Sequence, residues 1–371
     1  MKIASFNVEN LFDRAKALNE DSKDATRIIK MESELNSLFK RDVYRAAAKT
    51  RMLELMDELG ILKKDEGPYV YLRKIRGKNF IKRPRNGSPE IVAKGRGDWV
   101  GWVELKTVHV NETAIMNTGR VIRDVNADIV AVVEAEHRVA LKQFSDSVLK
   151  EVGGQPYANI MLIDGNDTRG IDVGIMTRAG YTIGAMRSHI HDLGEDKKPI
   201  FDRDCPEYCI TTPSGENIWI IPNHFKSKFG GNNPAARTKR MAQSGRAAEI
   251  YQSLIASGEN NVVVLGDFND TPGSDELAPL LKDTDLKDVS DHPVFDTGEF
   301  SGRGTFGLGN DKDKIDYILL SPNLFDRITA CGLFRMGAWP GKSPRRWSVY
   351  PELKEEVHVA SDHHLIWCEV E

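Results

Sequence analysis

Short apolar runs that end in polar residues recur along this 371-residue chain. The clearest is NVVVLGDFND, residues 261–270, in which four apolar residues lead directly into glycine, aspartate and asparagine. A short run rich in β-branched residues predicts a buried strand over residues 262–265. Because strand side chains alternate between faces, Asp267 and Asn269 should share one face. The same polar residues, with the Thr-Pro-Gly that follows them, also suit a simple turn.

The same patterning predicts strands and helices along most of the chain. A strand is expected over residues 2–8, with Asn7 and Glu9 on one face. A charged segment with spaced Leu and Met predicts a helix over about residues 32–62, with Gly60 as its stop. The further predicted elements are strands at 128–133, 171–176, 217–221, 314–320 and 365–370 and a helix at 235–253.

Composition describes an ordinary globular protein, with 40% hydrophobic and 29% charged residues. The net charge of -4 argues against a chain that coats nucleic acid non-specifically over its whole surface. No run approaches the roughly 18–20 apolar residues of a membrane span, and the N-terminus lacks a secretory hydrophobic region. Four scattered cysteines do not suit a disulfide scaffold, so we expect a cytoplasmic setting. Cys205 and Cys209 follow His189 and His191, but the spacing fits none of the usual zinc patterns.

Residues 63–98 differ from the rest of the chain in charge. They hold eleven Lys or Arg residues against four Asp or Glu, interleaved with Tyr69, Tyr71 and Phe80 and followed by Trp99. Basic residues mixed with aromatic ones suit a phosphate backbone with stacked bases. A solvated β-hairpin whose aromatic side chains pack inward explains the pattern as well. The charge asymmetry favours nucleic acid, and both interpretations stay open.

Six apolar runs, spread along the chain, begin or end in polar side chains of the same kinds. They are SFNVEN with Asn7 and Glu9, DIVAVVEAEH with Glu134, WIIPNHFKSK with His224, LGDFND with Asp267 and Asn269, KIDYILLS with Asp316, and VASDHH with Asp362 and His363. Any one of them can be explained as a turn or a satisfied core group. Six with the same chemistry indicate one shared pocket.

The residue types in this pocket indicate a hard metal ion and proton transfer. Carboxylates and carboxamides are oxygen ligands that suit Mg²⁺, Mn²⁺ or Ca²⁺. Two histidines add groups that move protons near neutral pH or stabilise an oxyanion. Together these groups suit the hydrolysis of a phosphate ester, in which a metal neutralises phosphate charge and a protein base deprotonates water.

These motifs, in this order, resemble those of the endonuclease/exonuclease/phosphatase superfamily, and in particular of its bacterial nuclease-like members. The similar segments are SFNVENLFD, ADIVAVVEAEH, RGIDVGIMTR, NHFKSK, LGDFND, KIDYILLS and SDHHLIW. The resemblance implies an α/β fold, a four-layer α/β/β/α sandwich of two mixed β-sheets flanked by helices. It further implies one domain over residues 1–371, with an insertion at about residues 13–120 after the first strand.

The resemblance also implies a role for each polar side chain in the motifs. The implied ligands of a Mg²⁺ ion, or of Mn²⁺ or Ca²⁺, are Glu134 as the principal one, Asn7, Glu9 and Asp362. Asp267 and Asn269 would position or deprotonate the attacking water. His224 would donate to the phosphate or the leaving oxygen. His363 would stabilise the phosphorane or act as base, and of the two candidates we expect Asp267 to take the proton.

Strand geometry independently suggests a partner for His363. Asp362 and His363 are neighbours and should point apart on an extended strand, so the histidine needs a carboxylate from elsewhere. Asp316 is the candidate. His364 stands where many family members have a variable residue before proline, and we expect it to face away from His363 and to be structural.

The motifs leave three hypotheses for the function. The first is a nuclease, with Arg169, Lys226 and the late loop GKSPRRWSVY as its substrate-binding groups; the cationic residues of that loop are Lys342, Arg345 and Arg346, followed by Trp347. The second keeps the mechanism but acts on a phospholipid head group or a soluble phosphate ester. The third is a catalytically silent binding module, which the presence of the polar motif residues disfavours.

Overall fold

The computed structural model describes residues 1–19, 22–77, 80–167, 169–228, 233–342 and 344–371. These residues divide into two compact units, a larger unit of residues 1–12, 110–228 and 233–371 and a smaller unit of residues 13–109. All six motifs with polar strand ends belong to the larger unit. Among the described helices, none has the length and apolar character needed to cross a membrane.

The chain forms strands and helices in alternation, as its patterning predicts. The strands are β1 (Lys2–Asn7), β2 (Asp13–Ala15), β3 (Val70–Arg76), β4 (Ile81–Lys82), β5 (Glu90–Ile91), β6 (Val100–Leu105), β7 (Thr107–His109), β8 (Ile129–Ala135), β9 (Asn159–Leu162), β10 (Asp172–Thr177), β11 (Thr182–Arg187), β12 (Glu207–Thr211), β13 (Asn217–His224), β14 (Val262–Asp267), β15 (Lys287–Asp288), β16 (Phe295–Asp296), β17 (Asp316–Leu320), β18 (Ile328–Phe334) and β19 (Leu365–Val370). The α-helices are α1 (Ser22–Phe39), α2 (Ala46–Glu58), α3 (Glu112–Val125), α4 (Arg138–Gln143), α5 (Pro234–Ala256), α6 (Ala278–Leu281) and α7 (Pro322–Phe325).

Two mixed sheets form the centre of the larger unit. One has seven strands in the order β16-β18-β19-β1-β8-β10-β9, and the other has six in the order β11-β12-β13-β14-β17-β15. In the first sheet β1 is parallel to β8 and antiparallel to β19. In the second, β14 is parallel to β13 and antiparallel to β17. The carboxyl ends of β1, β8, β13 and β14 therefore lie beside the amino end of β17.

The apolar residues of these strands form three layers of core between four layers of secondary structure. On β14, Val263 and Leu265 pack between the sheets, whereas Val262 and Val264 pack with the buried face of α5. On the other sheet, the residues that face away from the sheet interface pack with α3. Because both faces of these strands are buried, their sequences are apolar without a break. The larger unit is thus a four-layer α/β/β/α sandwich, as predicted.

The predicted elements of the larger unit are confirmed with small shifts in their bounds, but the long helix predicted over residues 32–62 is wrong. That segment forms α1 and α2, separated by a connection that pairs with another part of the chain. The backbone N–H of Tyr44 donates to the carbonyl of Lys94 at 2.7 Å, and its hydroxyl donates to the carbonyl of Phe39 at 2.7 Å. These tertiary bonds replace the helical ones at this point.

The smaller unit has its own core, built by α1, α2 and short two-stranded sheets. Strands β3 and β6 pair antiparallel within it. Phe80 and Trp99 are both fully buried in this core and stack with ring centroids 3.9 Å apart. Tyr69 and Tyr71 are partly buried, and cations lie over both rings. These aromatic side chains therefore pack as the hairpin interpretation of residues 63–98 requires.

Candidate active site

The six polar motifs meet at one edge of the two sheets. Asn7, His224 and Asp267 are the last residues of β1, β13 and β14, and Asp316 is the first of β17. His224 and Asp267 are register partners, and so are Asp267 and Asp316. Glu134 lies near the end of β8, which runs parallel to β1. The parallel pairs and the antiparallel return of β17 thus place these side chains together.

Asp267 lies at the centre of this group. Its Oδ2 accepts a hydrogen bond from Asn7 Nδ2 at 3.2 Å, and its Oδ1 accepts one from the backbone N–H of Asn269 at 2.8 Å. The Nε2 atoms of His224 and His363 lie 3.7 Å and 3.8 Å from Oδ2. Burial, followed by the charge of Asp316, raises the pKa of Asp267 to about 7. Residues from both sheets therefore surround one carboxylate that is easily protonated.

His363 is paired with Asp316, as expected, but Asp362 does not point away from the ring as the strand argument predicts, since its Oδ1 lies 3.8 Å from His363 Nε2. The Nδ1 of His363 lies 2.8 Å from Asp316 Oδ2, while its Nε2 lies 3.4 Å from Asn7 Nδ2. Burial alone would lower the pKa of His363, but the charges of Asp316 and Asp267 together raise it well above its ordinary value. His364 faces elsewhere, with its Nε2 3.0 Å from the carbonyl of Gly307, which agrees with the predicted structural role.

Left-handed backbone is concentrated at these strand ends. Six non-glycine residues of the described chain have a positive φ, and four of them belong to the motifs: Glu9 at 50°, Asn10 at 68°, Glu134 at 66° and Asn269 at 54°. Such conformations cost about 1–3 kcal/mol each and persist where the surrounding structure enforces them. Asn7 Oδ1 accepts the backbone N–H of Glu9 at 3.1 Å, and Asn269 Nδ2 donates to the carbonyl of Phe225 at 3.1 Å.

Carboxylates at this edge suit a divalent cation. Glu134 is 20% exposed at its side chain and Asp362 is 46% exposed. Burial raises the pKa of Glu134, and the charges of Arg169 and His363 oppose that rise. Within the described ranges, neither carboxylate forms a direct ion pair with a Lys or Arg. The donor set of Glu134, Asp362, Glu9 and the Asn7 amide therefore fits a hard metal ion, which would stabilise carboxylates whose charged form burial disfavours.

A second acidic cluster lies beside this donor set. One ligand atom each of Asp267, Asp316 and His363 lies within 4.8 Å of the other two. Two of these groups already satisfy each other, since His363 Nδ1 and Asp316 Oδ2 form a hydrogen bond. This cluster is therefore suited to proton transfer as well as to metal binding.

His224 is joined to a residue that sequence reasoning missed. Arg203, only 1% exposed, donates from Nε to His224 Nδ1 at 3.2 Å. Burial, followed by the charge of Arg203, lowers the pKa of His224 well below its ordinary value. Arg203 lies in the segment between β11 and β12, where the only signal was the short polar string FDRD.

The predicted substrate-binding residues are distributed unevenly. Arg169 is largely buried and forms a 2.6 Å ion pair with Asp167, and its charge acts on Glu134. Lys226 is partly buried, and burial is the main cause that lowers its pKa. Both therefore lie close to His224, and their positive charges contribute to lowering its pKa.

The late loop offers fewer free groups than predicted. Lys342 and Arg345 are exposed. Arg346 instead donates to the carbonyl of Leu308 at 2.6 Å and to Asn310 Oδ1 at 2.8 Å. Trp347 is only 4% exposed and donates to the carbonyl of Ala338, so it does not present a stacking surface.

One family model and several solved structures resemble this chain. A model of the Endonuclease/Exonuclease/phosphatase family matches residues 83–332. No curated protein matches the chain. Among solved structures, an endonuclease/exonuclease/phosphatase family protein from Bacteroides thetaiotaomicron is 14% identical, covering 69% of this chain and 87% of that one at a TM-score of 0.48. Truncated TDP2 from Caenorhabditis elegans is 17% identical (69% and 89% covered, TM-score 0.47), and a mannosyl-6-phosphatase from Bacteroides thetaiotaomicron is 15% identical (70% and 90%, TM-score 0.48).

Proposed function

Because the chain belongs to the endonuclease/exonuclease/phosphatase family, we propose that it is a divalent-metal-dependent phosphodiesterase that acts as a nuclease on DNA or RNA. The observation that carries the proposal is the meeting of Asn7, Glu134, His224, Asp267 and His363 at one sheet edge. These residues come from both sheets and from distant parts of the chain. A purely structural role does not explain two histidines within 4 Å of one buried carboxylate oxygen.

In our proposal, the carboxylates of this group bind the metal ion. Glu134 is the principal ligand in our proposal, and Asn7, Glu9 and Asp362 complete the donor set for Mg²⁺, with Mn²⁺ or Ca²⁺ as replacements. A bound divalent ion would neutralise phosphate charge and polarise the phosphorus–oxygen bond. The left-handed backbone of Glu9 and Glu134 fixes where their side chains start, and thereby preorganises the donors.

Proton transfer falls to Asp267 and the histidines. Asp267 receives the proton of the attacking water, for which a pKa near neutral is suitable. Asn269 holds the Asp267 carboxylate through its backbone N–H. The water oxygen then forms a bond to phosphorus as the bond to the leaving oxygen breaks in line; the leaving oxygen keeps the bonding electron pair and takes up a proton from solvent. His224 donates a hydrogen bond to a phosphate or leaving oxygen, and His363, held by Asp316, stabilises the charge that develops on phosphorus.

Positive charge around the site supports a nucleic acid over an uncharged or lipid-embedded substrate. Arg169 and Lys226 lie near the catalytic residues, and Lys342 and Arg345 are exposed in the loop that precedes the SDHH motif. Cations of this kind bind successive phosphates of a polynucleotide backbone. They supply affinity without fixing the base sequence.

The proposal is tested with a panel of phosphoesters, comprising single-stranded DNA, duplex DNA, RNA, a phospholipid and soluble phosphate monoesters. We expect cleavage of a nucleic acid with Mg²⁺ or Mn²⁺ and none with a chelator. Asp267→Asn and Glu134→Gln should each lower kcat by about 10²–10⁴-fold, the range for losing a group that acts on the proton or the charge in the transition state.

A matched control is Glu207→Gln, which neutralises a buried strand glutamate outside the site. Its activity per folded molecule should equal that of the wild type. Cleavage of only the lipid or the soluble esters would overturn the nuclease assignment while keeping the chemistry. Full activity in Asp267→Asn or Glu134→Gln would overturn the site itself.

A further inference from the structure

Arg203 is among the largest fully buried side chains of the described chain, and it is a charged one. Arginine is almost never fully buried unless its donors are satisfied. Its Nε donates to His224 Nδ1 at 3.2 Å, its Nη2 to the carbonyl of Phe225 at 3.3 Å, and its Nη1 lies 3.4 Å from Asp167 Oδ2. All three contacts lie at the edge of the candidate active site. A purely structural role for Arg203 would not explain why its partners are at this edge.

The bond to His224 restricts that imidazole to one form. A guanidinium has five N–H donors, no acceptor, and cannot be deprotonated in a protein. Nδ1 of His224 must therefore present its lone pair to Arg203, and the ring proton of the neutral imidazole must be on Nε2. That nitrogen lies 3.6 Å from Glu134 Oε1 and 3.7 Å from Asp267 Oδ2.

We propose that Arg203 is a positioning residue that fixes His224 as the Nε2–H tautomer and directs that single donor into the space between Glu134 and Asp267. His224 cannot release this proton without becoming an imidazolate anion, so it acts as a hydrogen-bond donor throughout. It neither removes the proton of the attacking water nor delivers one to the leaving oxygen. The catalytic consequence rests on the proposed function, whereas the tautomer does not.

The other contacts of Arg203 share acceptors with neighbouring groups. The carbonyl of Phe225 accepts from Arg203 and also from Asn269 Nδ2 at 3.1 Å. Asp167, on the far side of the guanidinium, holds Arg169 at 2.6 Å. One buried guanidinium thus orients His224 while sharing acceptors with two other site residues. In His363 the other ring nitrogen carries the proton, because Nδ1 faces the Asp316 carboxylate and must donate to it.

The direct test uses the metal-free wild-type protein. Long-range ¹H–¹⁵N spectra of protein labelled at histidine nitrogen distinguish the two tautomers and the doubly protonated ring. His224→Asn assigns the His224 signals by their loss. We expect a protonated Nε2 and an unprotonated, hydrogen-bonded Nδ1 for His224. A proton on Nδ1, or on both nitrogens, would overturn the proposal without reference to any variant of Arg203.

Substitution of Arg203 separates positioning from simple packing. Arg203→Met removes all donors, and we expect a mixture of His224 tautomers and a fall in kcat of about 10- to 100-fold, with KM nearly unchanged. Arg203→Lys keeps a donor and should restore the Nε2–H signature. Arg335→Met is the matched control, because Arg335 is also buried but donates to the carbonyls of Thr297, Gly302 and Gly304, and it should leave the His224 signals unchanged.

A double-mutant cycle tests whether Arg203 acts through His224. In a His224→Ala background, Arg203→Met should lower kcat no further. An additional loss equal to that seen in the wild-type background would contradict the proposal. If no phosphoester were cleaved, the nuclease assignment would fail, yet the spectra of the wild type and of Arg203→Met would still decide the tautomer.

Discussion

His189 shows how a histidine outside the site is held by charge. Its Nδ1 lies 2.9 Å from Asp192 and its Nε2 lies 2.8 Å from Glu207, and its side chain is 13% exposed. Burial alone would lower the pKa of His189, but Glu207 and Asp192 raise it above its ordinary value of 6.5. Both ring nitrogens donate when the ring is charged, so the folded state favours the imidazolium.

The raised pKa predicts a pH-dependent stability. A group whose pKa is higher in the folded state stabilises fully below its unfolded pKa, here about 6.5, and loses that contribution as pH rises through the folded value. We expect His189→Gln to lower the free energy of unfolding by about 1–3 kcal/mol near pH 6 and by less near pH 8.5. Urea unfolding of wild type and variant across this range measures the difference.

Exposed His191, two residues away, provides the control. The substitution His191→Gln should change the free energy of unfolding little at any pH in this range. A difference for His189→Gln that stays constant, or that grows with pH, would show that His189 is not charged by its two carboxylates.

At the residue scale, the sequence predicts the residue types of the site and one hydrogen-bonded pair, His363 with Asp316. It does not predict the partner of His224. Asp316 as the partner of His363 was expected from the family resemblance, and strand alternation argued only against Asp362, whose Oδ1 lies 3.8 Å from His363 Nε2, beyond hydrogen-bond distance. Arg203 as the partner of His224 does not follow from any local pattern. It lies outside regular structure, and the hydrogen bond arises only when that segment packs against the end of β13.

On the scale of elements, the backbone conformation of β14 requires glycine at one position. Gly266 has φ of +128°, and a Cβ at this position would lie 2.0 Å from the carbonyl oxygen of Asn223 on β13. The backbones of the two strands therefore approach closely just before Asp267, and only glycine has both the conformation and the space.

We predict that Gly266→Ala lowers the free energy of unfolding by about 3 kcal/mol or more, because backbone strain and a backbone clash add. It should also lower kcat of the folded molecules by displacing Asp267. Gly273→Ala is the matched control, because no atom lies within 4 Å of its added Cβ. Denaturant unfolding and kinetics of both variants test this, and an unperturbed Gly266→Ala protein would contradict it.

Strands were predictable where both of their faces are buried, because burial on both faces makes the sequence apolar without a break. Residues 262–265 are apolar without a break because alternate side chains face the other sheet and α5. The connection between α1 and α2 was not predictable, because its local sequence is compatible with a continuous helix. The chain leaves the helix here because its backbone forms hydrogen bonds with residues 94–96 instead. Propensity decides an element only when no tertiary partner competes for its backbone.

For the whole molecule, the basic character of residues 63–98 is partly neutralised inside the smaller unit. Arg73 pairs with Glu104, and Lys74 and Arg83 both pair with Asp65. Phe80 lies in the core, so deleting the segment would remove β3, β4, β5 and part of that core. Contact between this segment and nucleic acid stays a prediction, and we select Lys63, Lys64 and Arg85 from its exposed cations to test it.

We predict that reversing these three charges to Glu weakens DNA binding and lowers the slope of log affinity against log salt by about 0.9 for each phosphate that is no longer neutralised. Binding is measured with a chelator present, at several salt concentrations. Reversal of exposed Lys150, Lys282 and Lys354 in the larger unit makes the same change in net charge and is the control. Equal slopes for the two triple variants would show that residues 63–98 do not bind phosphates.

The position of β1 has a consequence during translation. It lies in the middle of the seven-stranded sheet, between β8 and β19, and β19 is synthesised after the other strands of this sheet. A nascent chain therefore holds β1 with one unpaired edge until the ribosome has released residues 365–370, and such edges invite aggregation. Asn7 likewise lacks its contact with His363 until then, so a chain that stalls late in synthesis has both an open sheet edge and an incomplete candidate site.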